Sequence, residues 1–132
     1  MLLRHGFVFL FVAPWLGLAI IALPHPRAWL AAHLTAFLTC FVLTSIALVW
    51  RELRLTDGQR RTALITGLTA AYTGLAANIF IAIVDLPGPA SAPGVTPPMP
   101  QFGIFLAFLA IVIPTVLISF GMVLFGMRGD AV

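Results

Sequence analysis

AWLAAHLTAFLTCFVLTSIALVW, Ala28 to Trp50, runs without a formal charge and is closed by Arg27 on one side and Arg51 on the other. At ~1.5 Å per residue a helix of this length crosses a hydrocarbon core of ~30 Å. A membrane-spanning β-strand would be only about ten residues long and would alternate polar and apolar positions, which this run does not. Working outward, three more stretches have the same character: Gly6–Leu23, Thr62–Val84 and Phe102–Met127. Across 132 residues the chain is 61% hydrophobic and 8% charged, with a mean hydropathy of +1.11, more apolar surface than a soluble domain of this size could bury. The expectation is a single all-α membrane domain over residues 1–132, a bundle of four transmembrane helices. The first stretch, preceded by Arg4 and His5, reads as a span rather than a cleaved secretory leader, because no small-x-small cleavage site precedes Pro24.

Charge sets the orientation. Arg4, Arg51, Arg54, Arg60, Arg61 and Arg128 fall on one side of a four-span topology and Arg27 on the other. The positive-inside rule then predicts a multi-pass protein of the inner (cytoplasmic) membrane with both termini in the cytoplasm. RELRLTDGQRR becomes a cytoplasmic turn, and PGPASAPGVTPPMPQ, Pro87 to Gln101, an outer loop stiffened by proline. The net charge of +3 reflects this topology and not a nucleic-acid surface; an arginine cluster without interleaved aromatics has anionic lipid headgroups as its nearest partner.

Chemistry must come from isolated polar residues, because P-loop, dinucleotide and HExxH motifs are all absent. Glu52 and Asp57 lie in the cytoplasmic turn, Asp130 in the tail and Asp85 at the outer mouth of the third helix, so no carboxylate is embedded in the hydrocarbon. That disfavours proton-coupled transport and removes paired-carboxylate glycosidase chemistry. Cys40 is the lone cysteine, which excludes an intramolecular disulfide and reads as small apolar filler.

His33 lies six residues past Arg27 and Asn78 seven before Asp85, which puts both about 10 Å below the outer surface. An intramembrane Asn commonly binds helices together, and a buried His serves either as a metal ligand or as a packed polar group. Gly67, Ala71, Gly74, Asn78 and Ala82 follow at three- or four-residue steps on one face of the third helix, where another backbone or a flat ligand can come close. Tyr72 lies off that face, nearer the bilayer centre, with a hydroxyl that needs a partner. Pro114 should kink the fourth helix and free a carbonyl.

The blocks PRAWLAAHL, ALVWRELRLTD and YTGLAANIFIA resemble the small four-span family of hydroxylaminobenzene mutase over most of Pro26 to Ala82. More distantly, the chain is similar to styrene oxide isomerase, whose second span opens with an Ala-His element and whose third carries Trp-Ala-Asn. The resemblance implies a membrane isomerase for a small apolar, oxygen-bearing substrate, such as an arylhydroxylamine or an aryl epoxide. For the epoxide isomerases it also implies haem b at the interfaces of a homotrimer, with the second-span histidine, here His33, as the axial metal ligand and ferric iron as Lewis acid. Asn78 matches the third-span Asn and would orient the substrate. Both relatives carry Asn-Gly six and seven residues after the histidine, where this chain has Thr39 and Cys40, and the epoxide isomerases place a tyrosine where it has Ala82. Thr39 can still donate a hydrogen bond, and Tyr72 is the phenol available to supply the missing donor. Residues six apart differ by about 240° around a helix, so His33 and Thr39 point different ways and suit a site shared between subunits.

Two rival classes stand beside this one. A membrane b-type cytochrome needs a second histidine at matching depth, but His5 starts the first helix and His25 sits in the outer turn. A transporter or a purely structural four-span protein is disfavoured only by the missing buried carboxylate.

Overall fold

The structure is a computed structural model and describes residues 1–86 and 98–128. Most of the proline-rich loop, residues 87–97, and Asp130 lie outside the described residues. Four helices make up the rest: α1 (Leu2–Ala22), α2 (Pro26–Val49), α3 (Asp57–Val84) and α4 (Met99–Gly126). All four are long and apolar enough to cross a membrane, and the described residues contain no strand.

The helix starts follow local chemistry. Pro26 opens α2 at a position where the missing N–H costs nothing. α3 starts five residues before the expected Thr62, because Thr56 and Gln59 form a capping box: the Gln59 N–H donates to Thr56 Oγ1 (3.3 Å) and the Thr56 N–H to Gln59 Oε1 (2.9 Å). Asp57 in the first turn adds a favourable charge at the positive end of the helix dipole. α4 continues through Pro114, and Thr115 Oγ1 donates to the Ile111 and Val112 carbonyls beside it (2.6 and 3.0 Å).

Packing divides the molecule into two hairpins, α1 on α2 and α3 on α4, joined by a less extensive α2–α3 seam. The α1–α2 interface is built on small side chains: Ala13, Ala32 and Ala36 are fully buried, with Phe9 and Cys40 packed among them. Gly6 is required there, since a Cβ would lie 2.8 Å from Thr44 Oγ1. Between α3 and α4, buried Ser119 donates to the Ala63 carbonyl (3.1 Å), and a Cβ on Gly67 would come within 2.7 Å of its Oγ.

Each end of the bundle is fastened. At the end holding the chain's first residue, the Arg54 N–H donates to the Gly126 carbonyl (2.9 Å) and Arg60 Nη2 to the Leu53 carbonyl (2.9 Å), while Leu53, Leu55 and Val123 form a small core. The arginine-rich segment is therefore docked under the end of α4 and is more than a turn. At the opposite end His25 and Asp85, both left-handed (φ 64° and 51°), meet with Nδ1 2.9 Å from Oδ1 and tie the start of α2 to the end of α3.

Candidate functional site

Where α2 and α4 fail to pack against each other, a cavity of about 330 Å³ remains, with α3 as its floor. Leu38, Val42 and Ile46 of α2 face Val112, Val116 and Phe120 of α4 across it, and Gly67, Ala70, Ala71 and Gly74 keep the α3 side low. Its size falls near the lower end of the ~300–1,000 Å³ that small-ligand pockets occupy.

Polar groups in the lining are few. Thr35 and Thr39 project from α2, Asn78 from α3 and Ser119 from α4. Asn78 Nδ2 donates one hydrogen to the Gly74 carbonyl one turn back (3.0 Å), leaving its second N–H and its Oδ1 without a partner among the described residues. Asn78 therefore makes no hydrogen bond to another helix among the described residues. The Thr39 hydroxyl also makes no hydrogen bond among the described residues. No lining residue has a titratable side chain, so the cavity can orient and polarise an oxygen but contains no acid or base of its own.

The expected small-residue face is thus real for Gly67, Ala71, Gly74 and Asn78, which all line the cavity, whereas Ala82 is buried in the core with α1 and α2. Thr35 and Ser119 were not anticipated. Thr35 had a signal in the sequence, being one helical turn from Thr39 on the same face; Ser119 had none.

His33 lies on another side of α2, half-buried against α1. Its Nδ1 is 2.8 Å from the Ala13 carbonyl, which can only accept, so the proton is on Nδ1 and Nε2 is the position left for another bond. Gly17 packs against the ring, where a Cβ would sit in ordinary contact 3.4 Å from Nδ1, and Phe37 stacks at 6.1 Å with planes 28° apart. A backbone carbonyl holding one imidazole nitrogen is the usual support behind a metal-bound histidine. The described residues contain no cluster of three or more His, Cys, Asp or Glu able to hold an ion. A lone histidine of this kind fits a metal that arrives with ligands of its own, as in a porphyrin.

His33 and Thr39 diverge around α2 as their spacing requires. His33 and Asn78 lie at similar depth, since α2 and α3 are antiparallel, Thr35 and Asn78 mark the same end of the cavity, and His33 is two residues, about 3 Å, beyond Thr35. One chain does not bring the imidazole into the cavity. Nor does it bring Tyr72 there. The Tyr72 hydroxyl is 2.8 Å from His5 Nδ1, its ring packs on Phe9 at 4.9 Å, and it is absent from the cavity lining. With His5 and Tyr72 lying 67 positions apart in the chain, no local spacing announces the pair.

The family model for styrene oxide isomerase matches residues 1–128, which covers all four helices. The match is with the more distant of the two resemblances drawn from the sequence. Searches of curated proteins and of solved structures give no match.

Proposed function

The chain belongs to the styrene oxide isomerase family, and we propose from that membership that it is a membrane isomerase converting a small apolar epoxide, best an aryl epoxide, to the aldehyde. The match over residues 1–128 carries this reading. The cavity supports it, having apolar walls for a ring and an amide and a hydroxyl for one oxygen. A second substrate class, an arylhydroxylamine rearranged to an aminophenol, is favoured by the PRAWLAAHL block and by ANIF at Ala77–Phe80.

The reaction is internally balanced. The C–O bond beside the ring opens, a hydrogen moves with its electron pair from the neighbouring carbon to the ring-bearing carbon, and the oxygen closes a C=O bond; nothing enters or leaves. In this proposal the free amide hydrogen of Asn78 and the hydroxyl of Thr39 hold the oxygen, and the aliphatic walls exclude the water that would divert the opened epoxide to a diol. Tyr72, outside the cavity, is given no part. His33 would hold haem b through Nε2, and that group when bound supplies a ferric Lewis acid.

Because His33 and the cavity lie on different sides of α2, the proposal includes a homotrimer in which His33 of one subunit and the cavity of the next complete a shared site. The arginine bias further supports an inner-membrane location with cytoplasmic termini.

The test is to purify the protein in detergent, record its absorption spectrum and native mass, and incubate it with styrene oxide while following phenylacetaldehyde by gas chromatography. A Soret band, a trimer mass and aldehyde formation are expected. Folded, haem-loaded protein that converts neither styrene oxide nor phenylhydroxylamine overturns the proposal.

A further inference from the structure

Two glycines of α3 line the cavity, and the missing side chain has a different meaning at each. Gly67 is bare because α4 needs the space: a Cβ there would lie 2.7 Å from Ser119 Oγ. At Gly74 a Cβ would meet nothing within 4 Å. Helix packing therefore gives no reason for glycine at 74, although glycine weakens a helix interior relative to alanine. Asn78, one turn further on, donates back to the Gly74 carbonyl (3.0 Å), so its amide is held directly beside this bare patch of backbone.

We propose that Gly74 is the specificity-determining residue of the cavity: its exposed backbone is the seat of the substrate's flat ring, beside the Asn78 amide that receives the oxygen. The space of one Cβ then decides which rings fit. This inference rests on the cavity being the substrate site proposed above, and it adds the residue that sets the space for the ring and so the preference for flat rings over short aliphatic chains.

Gly74→Ala and Gly74→Val test it, with Gly103→Ala, an exposed α4 position whose Cβ also meets nothing within 4 Å, as control. The kcat/KM ratio of a ring-substituted styrene oxide to a short aliphatic epoxide should fall in Gly74→Ala by roughly 10–200-fold, the scale on which one methylene discriminates in an apolar pocket. Gly74→Val should lower it further, and Gly103→Ala should leave it unchanged. Binding of unreactive styrene, read as a thermal shift, should weaken in the same order, while the native mass of Gly74→Ala stays that of the parent. An unchanged ratio with unchanged styrene binding overturns the inference. So does an altered oligomer mass, which would make Gly74 a contact between copies, and so does a Gly74→Ala protein that fails to fold. If the parent converts no epoxide, the functional proposal fails by itself, and Gly74 is judged on the styrene shifts alone.

Discussion

Replacing Gly67 with alanine puts a methyl group 2.7 Å from Ser119 Oγ but at an ordinary 3.6 Å from Ser119 Cβ, so the conflict is with the hydroxyl alone. That hydroxyl is buried and bonded to the Ala63 carbonyl. Driven off its acceptor, it is stranded at a cost of about 1–3 kcal/mol. Alanine's better helix propensity returns about 1 kcal/mol, leaving Gly67→Ala roughly 0–2 kcal/mol less stable than the parent. Ser119→Ala should cost only its hydrogen bond, about 0.6–1.7 kcal/mol between membrane helices. In the double variant no hydroxyl remains to strand, and the propensity gain offsets the lost bond, so stability should return to within about 1 kcal/mol of the parent. The expected coupling between the two sites is therefore the stranding cost, about 1–3 kcal/mol. Reversible unfolding in mixed micelles titrated with SDS, followed by circular dichroism, measures all four proteins. A double variant whose loss equals the sum of the two single losses within about 0.5 kcal/mol would refute the assignment of Gly67 to this contact.

The remaining predictions concern the proposed chemistry. His33→Ala should purify as a folded oligomer without a Soret band, while His5→Ala, whose ring is engaged by Tyr72, keeps the band; stoichiometric haem in His33→Ala removes that residue as the ligand. Asn78→Ala should lower turnover by about 10²-fold or more at normal haem content, the scale for losing one positioned donor, and lost oligomer with unchanged activity per haem would make Asn78 a packing residue instead.

The spans were legible because an apolar run of membrane length has few other uses, and the structure moves their ends by a turn or so. The largest movement, at the start of α3, is also written in the chain: Thr56-Asp57-Gly58-Gln59 is a capping box set in a charged segment that otherwise has the composition of a turn. Helical periodicity found most of the α3 floor of the cavity. It could not say that Ala82 turns into the core, since small residues serve equally in a seam and in an interior. The support of His33 was beyond sequence reading in principle, because its acceptor is a backbone carbonyl, a group every residue has. Likewise, Ser119 and the His5–Tyr72 pair depend on how the hairpins close.

That hairpin-wise closure also bears on how the molecule assembles and breathes. Each hairpin joins neighbours in sequence, so α1–α2 and α3–α4 can each complete their packing early, whereas the α2–α3 seam forms only when two finished units meet. The cavity lies beside this seam, over α3. The seam is therefore expected to have the lowest local opening free energy in the bundle, with the His25–Asp85 pair and the docked linker as hinge points at its two ends. A lipid-dissolved guest of the proposed site would meet it between α2 and α4, where no packing has to be undone and no helix unwound.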